Sequence, residues 1–155
     1  MKFPKFFLNI AILFCSQICF GQDLNINSIP SDYYRKPVDL TLFLAGTFGE
    51  IRSNHYHSGI DIRTNQREGY PVYAVADGYI SRLRVQVGGF GNAVYINHPN
   101  GTTSVYAHLQ KFNSRIKMAV ENQQYNKKSF DVDFALVPIE IPVKKGDIIA
   151  WSGNT

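Results

Sequence analysis

The segment from Asn54 to Asp61 contains the residue types that bind zinc in proteins. It holds His55 and His57, and Asp61 follows His57 by four residues; imidazole and carboxylate groups are common zinc ligands. A straight strand would hold His57 and Asp61 roughly 13 Å apart, at about 3.3 Å per residue, which is too far for one ion. A metal site here therefore requires the chain to bend, and Gly59 permits a bend and leaves room for an ion.

The same segment is also compatible with a histidine-rich surface loop, because short motifs give many false positives. His55 and His57 form a His-x-His pair, and on a strand both rings could bind one metal ion from the same face. The residues alone therefore leave open whether a metal binds here, and whether His55 takes part.

A second histidine with chemical potential is His108, on a predicted strand. Alternation predicts that Tyr106 and His108 share an accessible face, while Val105 and Leu109 face the core. A lone histidine on a strand is more often structural than catalytic, so both roles stay open. His98, just before a turn, is predicted to be a solvent-exposed turn residue.

Short strands separated by glycine turns must position these residues. The chain has 155 residues, of which 45% are hydrophobic and 14% aromatic, and this suits one domain with a β-rich core. An Asn-Gly pair in the turn 99–101 lies between two apolar runs, which predicts a hairpin. The expected architecture is a mostly β, antiparallel sandwich or barrel. We predict its strands at 40–44, 70–75, 79–87, 93–98, 102–109, 129–141 and 148–151.

One segment breaks the β pattern. Residues 113–126 place apolar side chains among polar ones and predict a short helix. We interpret residues 113–141 as an insertion over the sheet.

The first 21 residues have the pattern of a secretory signal peptide. Lys2 and Lys5 precede an apolar run that is short for a membrane span, which needs about 20 residues, and cleavage is predicted before Gln22. We therefore expect export and no stable membrane anchor after cleavage.

Both cysteines lie in this leader, so the mature chain would form no disulfide. Without the two lysines the formal net charge of +4 falls to +2, which does not indicate nucleic-acid binding.

Four pieces of the sequence, in this order, resemble the lysostaphin-type (LytM-like) zinc metallopeptidases that cut peptidoglycan cross-bridges. The pieces are His57–Asp61 (H-x-G-x-D), the strand-turn-strand at 72–80, the hairpin at 91–109 ending in Y-x-H-L, and the closing element at 143–153. The resemblance implies a duplicated hybrid motif-like β domain over residues 43–155, preceded by an extended lead-in segment at 22–42.

The resemblance also implies roles for individual residues. His57 and Asp61 would be zinc ligands, and His108 would be a catalytic histidine that does not bind the metal. Tyr106 and His55 would lie along the groove. The substrate would be the peptide stems of peptidoglycan, in the periplasm or cell envelope.

In that family a third zinc ligand and a second catalytic histidine come from an H-x-H motif after the closing glycine turn. We expect this motif within about 15 residues beyond Thr155. The 155-residue chain alone would then bind zinc weakly and hydrolyse nothing measurable.

The sequence is also compatible with two other functions. A non-catalytic relative could bind the cell wall or regulate a partner hydrolase, although retention of His57, Asp61 and His108 argues against it. The stretch 143–150 also resembles strands of lipoyl-type carrier domains. Such a domain needs an exposed lysine at a hairpin tip, and the tip here is Pro99-Asn100-Gly101.

Overall fold

A computed structural model describes residues 29–153. These residues form nine strands and one helix. In chain order they are β1 (Leu44–Gly46), β2 (Asp61–Ile62), β3 (Pro71–Tyr73), β4 (Gly78–Val85), β5 (Asn92–Asn97), β6 (Thr103–Phe112), α1 (Ser114–Lys127), β7 (Val132–Ala135), β8 (Pro142–Val143) and β9 (Ile148–Ser152). The predicted leader, residues 1–21, lies outside the described range. The helix in that range is too short to cross a membrane.

Two sheets form, and every strand pair in them is antiparallel. The larger sheet has the order β3-β9-β6-β5-β4-β7, with β8 also paired to β4. The smaller sheet pairs β1 with β2 and carries Asp61. The predicted fold class, mostly antiparallel β with one short helix, is confirmed.

The hairpin of β5 and β6 is the centre of the large sheet. Asn97 pairs with Thr103 across the turn, and His98 N–H donates to the Thr102 carbonyl at 2.9 Å. Gly101 closes this turn with a φ of 83°, a left-handed conformation that favours glycine. The Asn-Gly signal therefore predicted this hairpin correctly.

The core lies between the large sheet and the elements that pack on it. Its largest fully buried side chains are aliphatic and come from β4, β5, β9 and the helix: Ile80, Leu83, Val94, Ile96, Ile149 and Ile116. Ile62, directly after Asp61, packs against this cluster from the side of the small sheet. The strand that carries Asp61 is thus anchored to the core by its neighbour.

Helix α1 starts where Asn113 caps it. The Asn113 side chain accepts the N–H of Ile116 at 2.9 Å and donates to the Ile148 carbonyl at 2.8 Å, which satisfies a free helix N–H and ties the cap to β9. Ile116 and Val120, four residues apart, are the buried face. The helix predicted at 113–126 is confirmed at Ser114–Lys127.

The predicted insertion at 113–141 is only partly placed over the sheet. Helix α1 packs against β6 and β7, but β7 itself pairs with β4 and extends the sheet at its edge. Arg82 fixes this pairing by donating to both carboxylate oxygens of Asp133, at 2.6 and 2.5 Å.

The lead-in segment also differs from the prediction. The strand expected at 40–44 is wrong, since β1 begins only at Leu44. Further upstream the chain runs beside β3: Arg35 N–H donates to the Val75 carbonyl, and Tyr73 N–H donates to the Pro37 carbonyl, both at 2.8 Å. Val38 is 5% exposed and joins the core.

Candidate metal site

His57 and Asp61 come together as the metal hypothesis requires. The chain bends at Gly59, and His57 Nε2 lies 3.2 Å from Asp61 Oδ1. Two ligands bound at about 2.0–2.1 Å on a tetrahedral zinc ion lie about 3.3 Å apart, so the two donor atoms already have the spacing of one edge of a zinc site. An added Cβ at Gly59 would meet no atom within 4 Å.

The orientation of the His57 ring is fixed by its other nitrogen. His57 Nδ1 lies 2.9 Å from the Thr47 carbonyl oxygen. A carbonyl can only accept a hydrogen bond, so Nδ1 carries the hydrogen, and the neutral ring presents its lone pair at Nε2. Metal-binding histidines commonly have this arrangement, with the second nitrogen donating to a backbone carbonyl.

The loop that presents His57 is tied by backbone hydrogen bonds. Glu50 N–H donates to the Thr47 carbonyl at 3.3 Å, and Gly49 has a φ of 77°, as the third position of a type II turn requires. Gly49 N–H then donates to the His57 carbonyl, and His57 N–H donates to the Glu50 carbonyl, both at 2.8 Å. The turn therefore holds the backbone of His57 on both sides.

The sequence reasoning missed a basic residue that contacts Asp61. Arg52 Nη2 donates to Asp61 Oδ2 at 2.8 Å and also lies 3.3 Å from Glu50 Oε2. Glu50 Oε2 accepts the Thr47 N–H at 3.2 Å. A closed ring of contacts thus includes both candidate ligands and joins five residues: Thr47, Glu50, Arg52, Asp61 and His57. The only signal in the sequence was a Glu-x-Arg pair shortly before His57.

A third ligand is absent from the described part of the chain. Within residues 29–153, no three His, Cys, Asp or Glu side chains are close enough together to hold a metal ion. His55 lies on an exposed part of the same loop, where its Nδ1 is 2.6 Å from the Asn54 side-chain oxygen. The chemistry of the two donors fits zinc, but they are two of the three protein ligands that a catalytic zinc takes.

His108 lines a separate depression. The depression has a volume of about 290 Å³, and its lining includes Glu68, Gln86, Asn92, His108 and Phe130. His108 Nδ1 is buried and has no hydrogen-bond partner among the described residues. Buried polar atoms normally have partners, and exceptions are found at catalytic sites and where a water or ion binds.

The backbone at His108 departs from regular β structure. Its φ is 55°, in the left-handed region. Between the pairs Asn92↔Leu109 and Val94↔Tyr106, β6 advances three residues while β5 advances two, so β6 has a bulge there. The His108 carbonyl accepts the Gly153 N–H at 3.0 Å and its own N–H donates to the Phe90 carbonyl at 3.0 Å.

The bulge makes the predicted facing wrong for Tyr106 and Val105, while Leu109 is buried as predicted. Tyr106 was expected on an accessible face, but it is 7% exposed, while Val105 is 48% exposed. The Tyr106 hydroxyl accepts the Val75 N–H at 2.9 Å, and burial raises the pKa of this hydroxyl. Simple alternation failed because β6 has one extra residue at the bulge, so Tyr106 and Leu109, three residues apart, are both buried.

His98 was predicted to be a solvent-exposed turn residue, and this is also wrong. It is 5% exposed; its Nδ1 lies 2.8 Å from the Asp77 carbonyl oxygen, and its Nε2 lies 2.9 Å from Ser104 Oγ. Both ring nitrogens are therefore occupied within the fold, which makes His98 a structural residue.

Residues 55–127 match the profile described as "Peptidase family M23", and this stretch includes His57, Asp61 and His108. This stretch is therefore similar to peptidase family M23.

Several curated proteins are similar to parts of this chain. The chain is 50% identical over 56 residues to the "DD-carboxypeptidase/endopeptidase Mpg" of Neisseria meningitidis serogroup B, covering 36% of this chain and 12% of the relative. It is 35% identical over 107 residues to an "Uncharacterized metalloprotease" of Haemophilus influenzae (69% and 17%). It is 35% identical over 78 residues to the "Cell division protein DipM" of Caulobacter vibrioides (50% and 12%). The chain thus spans less than a fifth of the length of each of these relatives.

Proposed function

We propose that this chain is part of an exported zinc metalloendopeptidase that cleaves peptide cross-links of peptidoglycan. The observation that carries the proposal is the contact between His57 Nε2 and Asp61 Oδ1. Since Nδ1 holds the hydrogen of the neutral ring, two acceptor atoms face each other at 3.2 Å. Such a contact is favourable only when a proton or a cation shares it. The M23 match and the relatives named as endopeptidase and metalloprotease favour the metal.

His57 Nε2 and Asp61 Oδ1 would hold the zinc ion, together with a third histidine outside the described residues. When bound, zinc acts as a Lewis acid that polarises a scissile carbonyl and acidifies water. The chain's own residues supply orientation: the Thr47 carbonyl fixes the His57 ring, and Arg52 holds the second oxygen of Asp61.

His108 is proposed to act on the substrate side as a general acid or base. Its position beside a depression leaves the ring available for a proton or for the developing oxyanion. His55 is proposed to line the groove from the exposed loop. For Tyr106 we propose a structural role. Its buried hydroxyl accepts the Val75 N–H and so helps to hold β6, the strand that carries His108.

Export is proposed from residues 1–21, whose basic start and apolar run are typical of a signal peptide. Peptidoglycan lies outside the cytoplasm, so an enzyme acting on it has to be exported. We accordingly propose the periplasm or cell envelope as the working location, and residues 43–155 as the region that belongs to the peptidase domain.

The test uses the full-length protein with bound zinc measured by metal analysis and hydrolysis measured as new amino groups released from purified peptidoglycan. His57→Ala and Asp61→Ala should lose both zinc and activity. His108→Ala should keep zinc and lose activity by about 10²- to 10⁴-fold, the usual contribution of a general acid or base. His55→Ala is the matched control and should keep its zinc.

Two results would overturn the proposal. Zinc that stays bound in both His57→Ala and Asp61→Ala would remove the metal site from this position. A wild-type protein that binds peptidoglycan but releases no amino groups would favour the non-catalytic, wall-binding alternative.

A further inference from the structure

Asp61 has two carboxylate oxygens with different neighbours. Oδ1 faces His57 Nε2 at 3.2 Å, and Oδ2 accepts a hydrogen bond from Arg52 Nη2 at 2.8 Å. The carboxylate therefore cannot turn about its axis without breaking the ion pair to Arg52. One oxygen is directed to the candidate metal position and the other is directed away from it.

Arg52 is itself held in place. Its Nη2 also lies 3.3 Å from Glu50 Oε2, so the guanidinium group lies between two carboxylates. Its Nε is buried and has no hydrogen-bond partner among the described residues. The surrounding atoms enclose the Nε end of the guanidinium group. This limits the movement of the guanidinium group away from Asp61.

Gly46 leaves the space in which this pair meets. A Cβ added at Gly46 would overlap Asp61 Oδ2 and would lie 2.5 Å from Arg52 Nη2. Gly46 pairs with Asp61 between β1 and β2, so the small sheet brings the bare backbone against the ion pair. Any side chain at this position would push the arginine and the aspartate apart.

We propose that Arg52 is a positioning residue that keeps Asp61 a one-oxygen ligand of the metal. This inference rests on the proposed function. A carboxylate free to rotate can offer both oxygens to one ion, and the second oxygen would fill the position that a catalytic zinc keeps open. Arg52 occupies Oδ2 and so preserves that open position.

The charge of Arg52 gives the proposal a distinctive signature. A guanidinium group near a divalent cation repels it, so its removal should leave metal affinity unchanged or higher. A residue needed only for folding would instead lower affinity and activity together when replaced. Replacing Arg52 should therefore lower kcat without lowering the affinity for the metal.

The experiment uses the full-length protein with cobalt(II) in place of zinc, since cobalt reports coordination number through the intensity of its visible absorption bands. In Arg52→Gln these bands should lose intensity as the site expands from four to five ligands, the dissociation constant for metal should stay equal or fall, and kcat should fall with little change in KM. Arg52→Lys, which keeps a cationic donor, should recover part of the wild-type spectrum. Arg63→Gln removes the same charge from an exposed position just after β2 and is the control.

A second variant tests the geometry without removing the charge. In Gly46→Ala the new methyl group meets the ends of two flexible side chains, so the fold should tolerate it while the pair is forced apart. This variant should show the same loss of band intensity as Arg52→Gln.

The outcomes separate this inference from the proposed function. Wild-type spectra and kcat in both Arg52→Gln and Gly46→Ala, with metal still lost in His57→Ala, would overturn the role of Arg52 alone. A fall in metal affinity in Arg52→Gln, with an unchanged spectrum, would also overturn it. Cobalt bands that persist in His57→Ala would instead overturn the metal site.

Discussion

The Tyr106 hydroxyl accepts the backbone N–H of Val75 at 2.9 Å and so joins the strand of the candidate catalytic histidine to the end of β3. The same hydroxyl lies 3.1 Å from Ser104 Oγ, which in turn lies 2.9 Å from His98 Nε2. His98 Nδ1 reaches the Asp77 carbonyl at 2.8 Å. A continuous chain of hydrogen bonds therefore runs from Val75 to Asp77 through three side chains: Tyr106, Ser104 and His98.

Tyr106→Phe should remove the link between Val75 and Ser104 in this chain. The Val75 N–H would lose its partner in a buried position, and an unsatisfied buried donor costs about 1–3 kcal/mol of unfolding free energy. Urea denaturation measures the loss. Tyr125→Phe, at a helix position that is 82% exposed, is the control and should leave the midpoint unchanged. An unchanged midpoint in Tyr106→Phe would contradict the assignment.

His98→Ala should be destabilising by roughly 2 kcal/mol or more, because it leaves two hydrogen-bond partners unsatisfied and opens a cavity. His55→Ala removes an exposed ring from the metal-site loop and should have little effect on stability. Thermal or urea unfolding checks both variants. Metal content should remain at the wild-type level in His98→Ala molecules that fold, since His98 lies within the core and not at His57 and Asp61.

Asp133→Asn should weaken the pairing of β7 with β4 in a pH-dependent way. The side-chain hydrogen bonds from Arg82 lower the pKa of Asp133 below its ordinary value of 3.8. The ionised carboxylate therefore stabilises the fold above that pH, and this stabilisation is lost as the pH falls through the folded-state pKa. Both side chains are partly exposed, so the effect near pH 7 should be below about 1 kcal/mol.

The measurement is the difference in urea midpoint between wild type and Asp133→Asn, taken at neutral pH and at acidic pH. The difference should shrink in acid and in high salt. Asp131→Asn, two residues earlier and exposed, serves as the control. A difference that does not depend on pH would show that the carboxylate charge is not what stabilises the edge strand.

Gly153→Ala should destabilise the strand that carries His108. The added Cβ would lie 2.5 Å from the His108 carbonyl oxygen and 3.2 Å from the Gln110 nitrogen, and backbone atoms cannot move aside as side chains can. Overpacking of this kind typically costs about 1–3 kcal/mol. Gly59→Ala, with no atom within 4 Å of the new Cβ, should remain within about 0.5 kcal/mol of wild type. Equal urea midpoints for Gly153→Ala and Gly59→Ala would contradict this expectation.

The sequence predicted the features that depend on local chemistry. The Asn-Gly hairpin, the helix predicted at 113–126 and the bend that brings His57 to Asp61 are all present. Each of these follows from a turn residue, an apolar pattern or a ligand spacing that can be recognised within a short stretch of the chain.

The features that the sequence did not reveal depend on distant partners or on irregular backbone. The left-handed φ of His108 inverts the facing of Tyr106, and nothing in alternation predicts it. The burial of His98 depends on Asp77 and Ser104, which approach it only in the folded sheet. The contact between Arg52 and Asp61 depends on the turn at Gly49, which local sequence patterns did not predict.

The position of β9 between β3 and β6 constrains the order in which this domain can fold. Pro71 pairs with Trp151, so β3 has no neighbour in the large sheet until residues 148–152 insert beside it. The hairpins of β4, β5 and β6 involve closer partners and can form earlier. Until β9 inserts, the folding chain exposes two strand edges that can pair with other chains, and this interval is when it is most vulnerable to aggregation.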